Sequence, residues 1–326
     1  MAASAEHSPA TPKSNRSPEA VLAQVDQRLR AGLYHPEAKT LFTWYVARHC
    51  NLRCPYCTLD WDHLAAQPLP LGRALIAWRS WYQSHGAAQI CCTGAEPMCR
   101  PEVVRVLGEI SHWHVLDITS NMHFRAELLH HFPDPQRVFF SASYHPMLNT
   151  EKAQSVDQFR RRLDAVRARG FRVTGASVVA YPPLLPKLPD IRRQLESDGT
   201  YFSIHLYRGE FQGRRFPEGY SSEERGVLAA LLGGDEHLVS VEPRKTLRQP
   251  CWTGSRYFLI AADGQAYRCW GAASQGSLGS FYRQQVVRSP LPLPCPVSAG
   301  CPCQELWPYH GTEAELDAAR RAMTEE

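Results

Sequence analysis

Arg48-His49-Cys50-Asn51-Leu52-Arg53-Cys54-Pro55-Tyr56-Cys57 sets three cysteines in a C-x3-C-x2-C spacing directly after an apolar stretch. Three thiolates this close can wrap one small inorganic cluster. They cannot complete the coordination of a 4Fe-4S cube, whose fourth iron is left open to an exogenous ligand. An open position is what separates a catalytic metal site from a structural one. The competing possibility is a zinc loop, which would pair its C-x2-C with a second pair about 12–20 residues on. No second Cys or His pair follows at that distance: His63 stands alone, and Cys91 and Cys92 lie further away.

Outward from the loop, Thr40 to Val46 (Thr-Leu-Phe-Thr-Trp-Tyr-Val) is aromatic and β-branched, and reads as a strand feeding the cysteines. Helices are predicted over 73–85, ending at Gly86, from Pro101 onward, and over 155–169, ending at Gly170. Strands are predicted over 88–93, 115–120, 137–143, 171–180 and 201–207. Ser17-Pro18 opens an earlier helix, Ser221-x-x-Glu224 is a capping box, and Thr312-x-x-Glu315 caps a terminal helix. Arg160, Arg161, Arg162, Arg167 and Arg169 read as a solvated helix face partnered by Asp157 and Asp164. The alternation from about 40 to 220 predicts an α/β fold with a parallel sheet and helices outside. Ligands of such sheets sit at the carboxyl ends of the strands, where the cysteine loop falls.

The loop, with an aromatic residue (Tyr56) before its last cysteine, resembles the signature of the radical S-adenosylmethionine (SAM) enzymes. That resemblance implies a partial (β/α)6 barrel and a 4Fe-4S cluster held by Cys50, Cys54 and Cys57. In the family the open iron chelates the amino and carboxylate groups of SAM, which is cleaved to methionine and a 5′-deoxyadenosyl radical that abstracts a hydrogen from substrate. Thr93-Gly94-Ala95-Glu96-Pro97 resembles the family's Gly-Gly-Glu-Pro motif, with Ala95 in place of the second glycine. It implies that Gly94, Ala95 and Glu96 hold the SAM amino group by backbone and carboxylate. Ser120-Asn121, at the end of the third strand, resembles the family's Thr-Asn. Ser141 and Ser143 share a face of the fourth strand, and the resemblance implies contacts with the SAM carboxylate or ribose. Tyr56 joins this SAM-binding set. His145, Tyr181, His205, Tyr207, Arg208, Glu210 and Cys99 are further candidates for lining the pocket, with ordinary packing as the alternative for each. The resemblance also implies a flavodoxin- or ferredoxin-type electron donor.

Five cysteines occupy the last quarter: Cys251, Cys269, Cys295, Cys301 and Cys303. Between the first two, Tyr257 to Arg268 reads as a hairpin turning at Asp263-Gly264. Gly264-x4-Cys269 followed by Gly276-Ser-Leu-Gly279 resembles the start of the SPASM and Twitch auxiliary-cluster domains. Five cysteines suit one further 4Fe-4S cluster, the shorter Twitch type, and a zinc knuckle is the alternative. Which of Cys295, Cys301 and Cys303 complete the site is open from sequence. Cys91 and Cys92 read as buried strand residues.

The 326 residues, 44% hydrophobic, suffice for one large domain and a smaller one. The expected organisation is a tail over 1–16, a helix over 17–39, the barrel over 40–243, a cysteine-rich hairpin and helix domain over 244–310, and a terminal helix over 311–326. No run reaches transmembrane length and the first residues lack a secretory core, so a cytoplasmic protein with reduced thiols is expected. The net charge of +4 offers no dedicated nucleic-acid face. Together these features lead to a radical SAM oxidoreductase or isomerase acting on a small molecule or natural-product intermediate. A peptide-modifying maturase served by a separate leader-binding partner, and a non-catalytic iron–sulfur or zinc scaffold, are the alternatives.

Overall fold

The computed structural model describes residues 17–57, 69–146, 155–233, 244–298, 300–301 and 304–324. The amino-terminal tail, His63 and Cys303 lie outside the described residues. Six parallel strands follow the sequence in order: β1 (Leu41–Ala47), β2 (Gln89–Gly94), β3 (Val115–Ser120), β4 (Val138–Ser143), β5 (Arg172–Ala180) and β6 (Phe202–Leu206). Helices cross between them: α1 (Pro18–Arg30) precedes β1, α2 (Leu71–His85) leads to β2, and α3 (Pro101–Ser111) to β3. Then α4 (Val156–Arg167) leads to β5, α5 (Leu188–Glu196) to β6, and α6 (Ser222–Leu232) follows the small hairpin of β7 (Gly209–Phe211) and β8 (Arg214–Phe216). The expected capping box forms at Ser221 with Glu224, and a second one forms at Ser155 with Gln158. Of the α4 arginines, Arg167 takes Asp164 within the helix and Arg160 reaches Asp198 outside it, while Arg162 departs from the expected solvated face with one guanidinium nitrogen buried.

The sheet does not stop at residue 243. After β9 (Pro250–Cys251), strand β10 (Tyr257–Ile260) lies parallel to β1, with Leu41 opposite Tyr257 and Trp44 opposite Ile260. The hairpin to β11 (Gln265–Tyr267) turns at Asp263-Gly264, and β12 (Gly279–Ser280) completes a nine-stranded sheet. A short strand β13 (Leu293–Pro294) pairs with β9. The carboxy-terminal segment is therefore grafted onto the barrel's leading edge. All four residues of β10 are buried, as a strand covered on both faces requires.

Aromatic packing holds that graft. Phe42 stacks on Phe258 at 5.2 Å and meets Trp78 and Trp81 of α2 edge-on, both at 4.9 Å. Phe281 packs on Trp78 at 4.4 Å. Each such pair contributes about 0.5–1.5 kcal/mol beyond the area it buries. At the other end α1 meets α7 (Glu313–Thr324), where Arg28 grips Glu315 with two hydrogen bonds of 2.7 and 2.9 Å. No described helix is long and apolar enough to cross a membrane.

Candidate active site

A cleft of about 430 Å³ opens at the carboxyl end of the parallel sheet. Cys50, Cys54 and Cys57 form one wall. The loop that carries them is fixed by its own backbone: the Cys57 N–H donates to the Cys54 carbonyl at 3.0 Å, and the Leu52 N–H donates to the Cys50 sulfur at 3.3 Å. Burial pushes the Cys54 thiol up to about 12 and the Cys50 thiol up as well, so any metal taken up here must displace protons.

Gly94, Ala95 and Glu96 form the adjoining wall at the end of β2. Gly94 has φ +113°, and a Cβ there would lie 2.4 Å from the carbonyl oxygen of Ala47 at the end of β1. The strand ends touch backbone to backbone because this residue has no side chain. The next N–H groups tie the motif to the strand before the cysteine loop: Ala95 donates to Ala47 at 3.0 Å and Glu96 to His49 at 2.8 Å. Ala95 is not among the described residues with positive φ. Its departure from glycine therefore asks nothing unusual of the backbone.

Glu96 is 2% exposed, and its carboxylate is a junction. Oε1 accepts from the Met98 N–H at 3.0 Å and from the Ser120 hydroxyl at 2.9 Å, and Oε2 accepts from the Asn121 N–H at 2.7 Å. Burial raises its pKa to about 7 in spite of these donors. A carboxylate offers about four acceptor positions, so these three donors leave one on Oε2 unfilled. Asn121 carries the connection back to the cysteines, donating to Asn51 Oδ1 at 2.8 Å and to the Cys50 sulfur at 3.7 Å. The three motifs are one hydrogen-bonded unit.

The remaining candidates separate. Ser120, Asn121 and Ser143 line the cleft, as does Tyr56, whose hydroxyl meets His145 Nδ1 at 3.1 Å. His145 lines the cleft too, and burial lowers its pKa to about 4. His205, Tyr207 and Arg208 form the facing rim at the end of β6, with Arg208 exposed. Ser141 does not reach the cleft. It lies two residues below Ser143, about 6.5 Å down the strand, and its hydroxyl donates to Asp117 at 2.8 Å beneath the cleft floor. Tyr181 packs behind Tyr56 and Tyr207, Glu210 points to solvent, and the Cys99 thiol donates to the His49 carbonyl; none of the three is part of the cleft wall. Tyr45 and Thr119 also line the cleft. Their signal in the sequence is alternation, which places them on the inward face of β1 and β3.

A second cluster of thiols forms where the grafted segment folds back on itself. Cys251, Cys269, Cys295 and Cys301 line one small void with Thr253, Leu306 and His310. The Thr253 hydroxyl lies 3.2 Å from the Cys251 sulfur, and that of Thr246 lies 3.3 Å from the Cys295 sulfur. Arg268 laces the loops together, donating to the carbonyls of Thr253, Pro294 and Leu293 at 3.1, 2.9 and 3.0 Å. Cys301 is held by a two-way backbone bridge to Arg244. Among the described residues no three His, Cys, Asp or Glu side chains converge to hold a single metal ion. The four sulfurs surround a space, and four thiols around a void are the donor set that a four-iron cluster takes. Between the two thiol sites, the Trp270 indole N–H donates to the Tyr45 hydroxyl at 2.8 Å, joining the residue after Cys269 to the cleft wall.

No protein-family model and no curated protein matches the chain. Among solved structures, native anSMEcpe with bound AdoMet superposes with a TM-score of 0.54 at 11% identity, over 76% of this chain and 78% of that one. The same protein with AdoMet and a Cp18Cys peptide gives 0.53 at 13% identity over the same shares. BtrN with AdoMet and 2-DOIA covers 77% of this chain and 82% of its own at 12% identity, with a TM-score of 0.37, a likeness too slight to argue from. The likeness to anSMEcpe shows the fold: this chain has the same partial α/β barrel, with three cysteines at the carboxyl end of its first strand.

Proposed function

We propose that the protein is a radical SAM enzyme. The carrying observation is the convergence of Cys50, Cys54 and Cys57 with Glu96, Ser120 and Asn121 on one cleft through shared hydrogen bonds. Three cysteine thiols and an open approach fit a 4Fe-4S cluster whose fourth iron takes SAM. When bound, cluster and SAM supply a 5′-deoxyadenosyl radical able to take a hydrogen atom from substrate.

The chain's own residues then hold, orient and exclude water. The free position on Glu96 Oε2 accepts from the SAM ammonium, a contact strengthened by the dry surroundings. Gly94 and Ala95 let SAM lie against the backbone. Ser143 offers a hydroxyl to its carboxylate or ribose, and Tyr56, held by His145, walls its far side. The substrate enters past His205, Tyr207 and Arg208. It is a small molecule or natural-product intermediate that undergoes dehydrogenation, epimerisation or rearrangement. A peptide substrate is the second reading, favoured by the peptide bound beside AdoMet in anSMEcpe.

Cys251, Cys269, Cys295 and Cys301 hold an auxiliary 4Fe-4S cluster of the Twitch type, serving electron transfer or substrate binding, and a flavodoxin- or ferredoxin-type protein in the cytoplasm delivers the electrons. The test is anaerobic reconstitution with iron and sulfide, reduction with SAM, and assay for 5′-deoxyadenosine. About eight irons per chain and deoxyadenosine are expected, with about four irons and all deoxyadenosine lost on changing Cys50, Cys54 and Cys57 to Ala. A reconstituted protein that neither binds nor cleaves SAM overturns the proposal.

A further inference from the structure

We propose that the four-thiol site has a fifth working side chain: His310, whose ring N–H donates a hydrogen bond to a sulfur of the group those thiols enclose. The inference rests on the auxiliary-cluster reading above.

His310 lines the same void as Cys251, Cys269, Cys295 and Cys301. Both of its ring nitrogens are buried, and neither has a partner among the described residues. A buried polar atom left unpaired is costly, and unpaired buried groups in a folded protein call for an explanation. The other polar side chains on this wall do have partners. The threonine hydroxyls meet cysteine sulfurs, and Arg268 is committed to three carbonyls.

The ring is held in place. The His310 N–H donates to the Trp307 carbonyl at 3.1 Å, and His310 bridges Cys251 in antiparallel fashion. On either side, Trp252 donates to Tyr309 at 2.8 Å and Gly311 to Pro250 at 2.7 Å. The same backbone ladder that positions the first cysteine of the site therefore positions the imidazole. A neutral imidazole has one N–H, and bridging sulfides and thiolates are the acceptors a cluster would place in this void.

A hydrogen bond to cluster sulfur stabilises the reduced, more negative state and raises the reduction potential. His310 is thus a positioning and tuning residue, acting on the cluster and not on substrate. It sets how readily the auxiliary site accepts an electron.

The experiment uses the full chain carrying Cys50→Ala, Cys54→Ala and Cys57→Ala, so that only the auxiliary site can load. This parent, its His310→Phe variant and its His310→Gln variant are reconstituted with iron and sulfide. Iron is counted, the midpoint potential is followed by EPR, and nitrogen couplings are read by pulsed EPR. The expected result is about four irons in the parent, a weak nitrogen coupling of hydrogen-bond strength, a lower potential in His310→Phe, and a potential near the parent's in His310→Gln. A parent without nitrogen coupling, or a His310→Phe potential equal to the parent's, overturns the inference while leaving the cluster in place. A strong coupling typical of an iron–nitrogen bond overturns the donor role in favour of ligation. A parent that binds no iron overturns the auxiliary-cluster reading itself. The coupling is read in the parent, so the test stands even if His310→Phe fails to assemble.

Discussion

Replacing Gly94 with Ala is the smallest change that should dismantle the candidate active site. The added Cβ would lie 2.4 Å from the Ala47 carbonyl oxygen, 3.2 Å from its nitrogen and 3.3 Å from its carbonyl carbon. All three are backbone atoms, so no side chain can swing aside. An alanine at φ +113° also sits in a region costing about 1–3 kcal/mol. Relief requires the ends of β1 and β2 to part by most of an ångström. That movement breaks the Ala95-to-Ala47 and Glu96-to-His49 hydrogen bonds, each contributing about 1 kcal/mol. The total is a loss of about 3–5 kcal/mol, concentrated where β1 hands over to the cysteine loop. Urea unfolding of the metal-free chain under reducing conditions measures the first part. Iron content in a chain whose Cys251, Cys269, Cys295, Cys301 and Cys303 are changed to Ala measures the second, and it should fall well below that of the same chain with Gly94 intact. A Gly94→Ala protein of unchanged stability that still loads the Cys50 loop would refute the reasoning, because the strand ends would then have room that the geometry denies them.

Two further predictions concern the barrel floor and the auxiliary site. Burial holds the Asp117 carboxyl at about 6, above its ordinary 3.8, so between those pH values the folded chain keeps a proton that the unfolded chain releases. The stability linked to that proton is present below about pH 4 and gone above the folded pKa, a change of about 3 kcal/mol; Asp117→Asn should therefore gain on the wild type by about that amount from pH 4 to 7 in urea titrations, and a constant difference would count against the buried carboxyl. Arg268→Met should remove the three carbonyl contacts that gather Thr253, Leu293 and Pro294, costing about 2–4 kcal/mol; iron at the auxiliary site should drop while SAM cleavage without substrate persists, and full loading would show that the guanidinium is dispensable.

What the sequence made legible was local. A strand, three spaced cysteines, a Gly-Ala-Glu-Pro turn and the Ser221 capping box are each written within about ten residues, and the parallel alternation follows from periodicity alone. Alternation also put Ser141 and Ser143 on one face, correctly, yet it carries no height. One pleat decides that Ser143 meets the cleft while Ser141 belongs to the Asp117 floor. The α5 helix went unread because Pro182, Pro183, Pro186 and Pro189 crowd its approach and first turn, although its Leu188, Ile191 and Leu195 are buried on one face. The pairing of β10 with β1 joins residues more than 200 positions apart, and nothing in Tyr257–Ile260 names its neighbour. That pairing has the largest consequence for function. It turns a cysteine-rich tail into the barrel's edge and brings Trp270, next to Cys269, onto Tyr45 at the cleft wall, so that the second thiol site adjoins the cleft that holds the first. His310 escapes sequence inspection for the same reason: it reaches the thiols through a bridge to Cys251, 59 positions earlier, and its unpaired nitrogens have meaning only once that bridge is formed.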